Sequence, residues 1–167
     1  MVRRFRGESH HKVDSKGRVS IPALFRRVLQ AGDPEWVEGR QPQLVIVYGD
    51  HRKKRLDCYT MEAFYEIEDE IMSLPRGSME RKILTQTMLG PSLTTEVDRD
   101  GRLVLPIKQR EKIGLTSEAF FISAGDHFQI WNPDTYEAEE KTDTEAWLDN
   151  QPEDFDPLIL LDQKKGD

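Results

Sequence analysis

Hydrophobic and polar positions along the chain fall into two alternating patterns. Short runs that are continuously apolar, or apolar at every second position, predict strands. They are Val19-Ser20-Ile21, Leu44-Val45-Ile46-Val47-Tyr48, Leu56-Asp57-Cys58-Tyr59, Leu103-Val104-Leu105, Ala119-Phe120-Phe121-Ile122-Ser123 and Phe128-Gln129-Ile130-Trp131. Helical spacing lies between them. Leu24, Phe25, Val28 and Leu29 line one face of a short helix that follows Pro22 and closes at Gly32. A second helix leads from Pro106 through Lys108 and Ile113 to Gly114. Phe64, Ile67, Ile71 and Leu74 mark a third over residues 60–73, with Glu62, Glu66, Asp69 and Glu70 largely on its other side. Pro75-Arg76-Gly77 breaks it, and Ser78 is placed to N-cap a further helix ending near Gly90-Pro91. Asn132-Pro133-Asp134 opens a last, Glu-rich helix. Residues ahead of the first turn give only a loose extended signal.

The order of elements repeats. Val13-Asp14-Ser15-Lys16-Gly17-Arg18-Val19-Ser20-Ile21-Pro22 returns, 84 residues on, as Val97-Asp98-Arg99-Asp100-Gly101-Arg102-Leu103-Val104-Leu105-Pro106. Reduced to type, both read V-D-x-x-G-R-h-x-h-P, with h apolar. Asp suits the start of a turn because its carboxylate accepts backbone N–H groups just ahead of it, and Gly supplies a positive φ. Pro then stops the strand and opens a helix, where its missing N–H does no harm. Gly49-Asp50-His51 and Gly125-Asp126-His127 align as hairpin turns, which gives His51 and His127 equivalent structural roles. Arg52-Lys53-Lys54-Arg55 is an excess of the first copy. Indels confined to loops are the mark of a duplicated fold, and two halves of about 80 residues gain by sharing one core.

Composition changes the picture in one respect. The net charge of −7 argues weakly against nucleic acid, but its distribution reverses that. Residues 1–30 carry eight Lys/Arg against Glu8 and Asp14, whereas residues 132–167 carry twelve Asp/Glu against three Lys. A solvated head and tail is the plain alternative. The single Cys58 cannot form an intrachain disulfide, no apolar run approaches ~18 residues, and the basic start lacks a signal peptide's apolar stretch. The expectation is a soluble, cytoplasmic protein.

Candidate chemistry centres on the two turns. In one reading a β-ribbon presents Lys16 and Arg18 to the DNA major groove, which admits such a ribbon and where Arg pairs with guanine. In the other, Asp and Arg four apart form a salt bridge that ties the loop, and the two readings are compatible. Arg52-Lys53-Lys54-Arg55 sits at a hairpin tip and reads as a solvated loop or an auxiliary phosphate contact. His10, His11, His51 and His127 match no metal or nucleophile template, and no P-loop, C-x-x-C or G-x-S-x-G occurs, so no enzyme, metal or cofactor is expected. Trp36, Trp131 and Trp147 read as packing residues. Leu158-Ile159-Leu160-Leu161 either docks on a neighbouring surface or marks an irregular end.

With the Phe5-Arg6-Gly7 start, both D-x-x-G-R turns with their prolines, Leu89-Gly90 and the G-D-H hairpins in place, the chain resembles the MraZ family of bacterial transcriptional regulators over roughly residues 3 to 148. The resemblance implies a mainly β protein with short helices (α+β). It implies two SpoVT-AbrB modules forming an intramolecular pseudo-dimer, a duplicated swapped-hairpin AbrB-like β-barrel. The modules would span 5–59 and 91–138, with a helical connector over 60–90. Outside the resemblance, the acidic, Pro-containing composition from Asn150 onward predicts disorder, and residues 139–167 are expected to form an acidic, partly disordered tail. The resemblance further implies ring-like homo-oligomers, nucleoid-associated, that bind short direct repeats in double-stranded DNA upstream of the division and cell-wall gene cluster. The D-x-x-x-R signature falls on Asp14 and Arg18, and on Asp98 and Arg102. Asp100 stands where Lys16 stands in the first copy, so Arg18 is expected as the main reader and Arg102 as secondary. Arg3, Arg4, Arg6, Lys12 and Lys16 are expected to meet phosphates. An antitoxin-like or scaffold protein gripping a protein partner is the alternative function.

Overall fold

Two glycines let the chain reverse directly after an extended segment, and the architecture follows from what each reversal pairs with. The computed structural model describes residues 4–166. In chain order the first half contains β1 (Glu8–Lys12), β2 (Arg18–Ser20), α1 (Ala23–Ala31), β3 (Gln43–Val47) and β4 (Arg55–Thr60). A connector follows, made of α2 (Met61–Met72), α3 (Met79–Leu84) and a π-helical turn over Thr85–Leu89. The second half repeats the first as β5 (Ser92–Glu96), β6 (Arg102–Val104), α4 (Ile107–Lys112), β7 (Glu118–Ser123) and β8 (His127–Trp131). The expected helix starts hold: Thr60 Oγ1 accepts from Ala63 N, and Ser78 Oγ from Arg81 N. The segment before the first turn, only loosely signalled by sequence, is a full five-residue strand, and so is its counterpart before the second turn.

Pairing crosses between the halves. The six-stranded sheet has the antiparallel order β1-β7-β8-β4-β3-β5, and β2 pairs with β6 in a separate ribbon. Exchanging the halves reverses the first order and leaves the second unchanged. Each half thus gives its first strand to the other: β1 to β7, and β5 to β3. The sheet is open, with β1 and β5 at its edges, which corrects the expected closed barrel. The reason is local: past each edge strand the chain turns back and gives three residues to the ribbon, and among the described residues edge and ribbon are tied by the Val13–Val19 bridge and by Asp14 N–H and Asp98 N–H donating to the Arg18 and Arg102 carbonyls.

The main core lies where the sheet, ribbon, α1 and α4 meet. Phe5, Phe25 and Phe128 form its aromatic centre, with ring centroids 5.0–5.4 Å apart. A smaller cluster of Val45, Val47, Tyr59, Met61 and Phe64 covers the other sheet face under α2. Alternation explains the split: Leu44 and Ile46 point to one core, Val45 and Val47 to the other. Among the described residues, no helix is long and apolar enough to cross a membrane.

By its contacts the chain divides into two units, Met1–Pro133 and Asp134–Asp167. The second unit carries a π-helical stretch (Tyr136–Lys141), an α-helix (Thr142–Asp149) and a 3-10 stretch (Pro157–Gly166), and Trp147 meets Phe155 edge to face at 5.7 Å.

Gly17 has φ +83° and its Cα abuts the Leu105 carbonyl, so an added Cβ meets both strain and backbone. Gly39 has φ +92° with open space around it. Gly17→Ala is therefore expected to lose about 2 kcal/mol or more in urea unfolding, against about 1 kcal/mol for Gly39→Ala. Equal losses at both sites would refute the close packing of the turn.

Candidate nucleic-acid interface

Each turn is built by one carboxylate. Asp14 Oδ1 accepts the backbone N–H of Lys16 and of Arg18, both at 2.9 Å, and Oδ2 accepts Arg18 Nε at 2.6 Å. Gly17 N–H closes the β-turn on the Asp14 carbonyl at 2.9 Å. The second copy repeats this: Asp98 Oδ1 accepts Asp100 N and Arg102 N at 2.9 Å, and Oδ2 accepts Arg102 Nε at 3.3 Å. The Arg18 backbone N–H first, then its guanidinium, hold the Asp14 carboxyl below its ordinary range. At Asp98 burial pulls the pKa up, but the Arg102 and Asp100 N–H bonds outweigh it and the net direction is down.

The salt bridge of the tied-loop reading is present in both turns. In the ribbon, Arg18 faces Val104, Val19 faces Leu103 and Ser20 faces Arg102. Val19 and Leu103 are 1% and 0% exposed, which fixes the inward face. By alternation Arg18, Ser20, Arg102 and Val104 share the outward face. The two arginines, far apart in sequence, become diagonal neighbours at roughly 7–8 Å. Their side chains are about a third exposed, at 36% and 33%. They differ in what their carboxylates leave over. Asp14 engages only the Nε of Arg18, and both Nη groups are without a hydrogen-bond partner among the described residues. Arg102 is held on two atoms, because Asp100 Oδ2 takes Nη2 at 3.1 Å. Ser20 and Val104 were missed as members of this face; the period-two alternation could have found them.

The structure gathers only some of the expected basic residues. Lys12, at the end of β1, and Lys16, two residues before Arg18 in the turn, are exposed. Arg4 and Arg6 lie at the opposite end of β1, where Phe5 N–H bonds the Gly125 carbonyl. Arg4 lines a cleft of about 630 Å³ with Glu62, Glu66, Glu70 and Asp126, away from the turn. Arg3 lies outside the described residues.

The basic tip is braced rather than free: Asp50 pairs with Arg52 at 2.9 Å and Asp57 with Arg55 at 3.0 Å. Lys112 Nζ also donates to the Asp50 and Lys53 carbonyls, and its burial lowers its pKa. His51 and His127 are not counterparts, contrary to their matching Gly-Asp contexts. His51 is exposed in the hairpin turn, whereas His127 begins β8, stacks on Tyr59 at 5.0 Å and bonds Asp126 at 2.6 Å. Across β4–β8, Arg55 faces Trp131 and His127 faces Tyr59, so exchange of the halves matches His127 with Arg55. Cys58 is buried, and burial first, then Asp57, raise its pKa. Among the described residues no group of three or more His, Cys, Asp or Glu is placed to hold a metal ion.

Comparison with known proteins gives one family throughout. A family model described as "MraZ protein, putative antitoxin-like" matches residues 88–156. The chain is 66% identical over 166 residues to a protein of Ruegeria pomeroyi named transcriptional regulator MraZ, covering 99% of both chains. It is 63% identical to a protein of the same name from Ruegeria sp. strain TM1040, again over 99% of both. A Cereibacter sphaeroides protein of that name is 45% identical over 98% of both.

The lowered pKa of Asp14 has a definite consequence. A carboxyl whose folded pKa lies below its unfolded value of ~3.9 stabilises the fold above that pH, and the contribution is lost as pH falls through the folded pKa. Asp14→Asn should therefore make the stability of the protein fall less steeply between about pH 4 and pH 2 in chemical unfolding. A parental slope in the variant would show that the Asp14 carboxylate does not hold the turn.

Proposed function

The chain belongs to the MraZ family of transcriptional regulators, and we propose that it binds double-stranded DNA through the outward face of the β2–β6 ribbon. The observation that carries this is the pairing of Arg18 and Arg102 on one exposed face, each oriented by an aspartate of its own turn. Arg18 is the main reader: its two free Nη groups form the end-on fork that matches guanine O6 and N7. Arg102, held also by Asp100, is secondary. Lys12 and Lys16 flank Arg18 as phosphate contacts, Arg4 and Arg6 act on DNA that extends past the far end of β1, and Arg3 is a further phosphate contact in this reading.

We read the two halves as a swapped-hairpin pseudo-dimer, a reading supported by the exchange of β1 and β5. Two SpoVT-AbrB modules (5–59 and 91–138) then flank a connector (60–90) and an acidic tail (139–167). One bidentate Arg–guanine pair gives about 1–3 kcal/mol of discrimination, too little to select one site in a genome. A homo-oligomer, ring-like in our reading, repeats the contact along short direct repeats upstream of the division and cell-wall genes, and effective concentration multiplies the affinity. This places the protein in the cytoplasm at the nucleoid.

The description of the matching family model as antitoxin-like carries a second reading, in which the fold grips a protein partner. A co-purifying protein together with no sequence-selective DNA binding would favour it.

The test is a mobility-shift titration with the DNA upstream of the protein's own gene at two salt concentrations. Affinity should fall steeply with salt, as counterion release requires. Arg18→Ala should abolish the preference for this duplex over a scrambled one while the circular dichroism stays parental. Arg102→Ala should weaken it by about tenfold, the lower end of one specific base contact. Parental binding by Arg18→Ala would remove this site from consideration.

A further inference from the structure

Two arginines outside the turns repeat with the same offset as the turns themselves: Arg26 on α1 and Arg110 on α4. Each lies against the glycine of the opposite half. A Cβ at Gly17 would fall 2.9 Å from Arg110 Nε and 3.1 Å from its Cζ, so the guanidinium rests on the Gly17 Cα. At Gly101 the Arg26 guanidinium and stem occupy the same place, with Cζ 2.8 Å and Cδ 3.2 Å from such a Cβ. Backbone hydrogen bonds cross in the same sense. Leu105 N–H donates to the Gly17 carbonyl at 2.8 Å, and Ile21 N–H to the Gly101 carbonyl at 2.9 Å. Arg110 Nε donates to the Leu105 carbonyl at 2.8 Å, joining guanidinium, ribbon strand and opposite turn in one chain of contacts. The copies differ at Nε: that of Arg26 is buried without a hydrogen-bond partner among the described residues.

We propose that Arg110 positions the Arg18 turn and Arg26 positions the Arg102 turn, so that each half sets the aim of the other's reading arginine. Its value for DNA recognition rests on the function proposed above. A turn fixed only by its own aspartate would be hinged at a glycine, the residue with the widest conformational freedom. A planar group against that glycine removes the freedom without a side chain, which the positive φ forbids. Functional side chains hold their direction only when a supporting layer holds theirs. Here that layer comes from across the ribbon, and it makes the two turns a single unit. The hydrogen-bonded Arg110 is the firmer brace, and it serves the turn of the stronger reader.

The test uses the full chain and reads hydrogen exchange by mass spectrometry on peptides covering residues 14–20 and 98–104. Arg110→Met keeps the aliphatic stem and removes the guanidinium. It should speed exchange in 14–20 about fivefold, the worth of one net hydrogen bond, and leave 98–104 unchanged. Arg26→Met should do the reverse. Arg110→Lys, which keeps the charge but not the plane, should loosen 14–20 as Arg110→Met does. In mobility shifts, Arg110→Met should lose preference for the upstream duplex over a scrambled one while its salt slope stays parental. Loosening confined to the variant's own half, or equal in both turns, overturns the inference. So does parental exchange in both turns with a weaker salt slope, since the guanidiniums would then be phosphate contacts. If the parent itself shows no preference for the upstream duplex while the crossed exchange pattern appears, the cross-brace stands and the DNA-reading proposal falls.

Discussion

The burial of Val19 against Leu103 is the constraint on which the proposed interface depends. These two side chains face each other in a ribbon of three residue pairs, and both are sealed in the core. With period two, fixing them inward fixes Arg18 and Arg102 outward. A slip of one residue would bury both guanidiniums without enough partners, at a cost far above anything a three-pair ribbon returns. The same apolar pair that closes the core therefore selects the register that exposes the cations.

Electrostatics refine what packing selects. Each turn aspartate neutralises part of the charge that its arginine offers. The second turn adds Asp100 to the same task, so the two copies present unequal cations on one face. An ion pair this exposed contributes little to stability. Its larger effect is on direction, because a guanidinium bonded through Nε has its remaining donors aimed. This explains how a protein of net charge −7 can carry a local cationic face: the relevant quantity is the field at the ribbon, not the sum over the chain.

Much of the fold was legible because its signals are local. Asp14, Gly17 and Pro22, and their copies at Asp98, Gly101 and Pro106, each act within a few residues, and the turns and helix starts form as those residues require. Thr60 and Ser78 cap the helices they precede for the same reason. One inference failed because it extended a local likeness over distance. His51 and His127 share a Gly-Asp context yet occupy different positions, because pairing across β4–β8 aligns the halves differently there. Arg4 and Arg6 precede the first turn in sequence but lie a strand's length away from it. Strands β1 and β5 gave weak signals because they are edge strands whose polar residues remain half in solvent. Arg26 and Arg110 carry no signal of their bracing place in the sequence, since their glycine partners belong to the other half.

By itself the sequence determined that the chain is duplicated, that each copy turns at Asp-x-x-Gly-Arg, and that an arginine leaves each turn at the head of a strand. Backbone geometry and side-chain chemistry over ten residues suffice for that. The tertiary structure alone decided that the strands exchange between halves, that the sheet stays open, and that two arginines from distant turns meet on one face with two more behind them. Those outcomes depend on which apolar surfaces find each other after the chain has doubled back, and contacts of that kind have no fixed separation in the sequence.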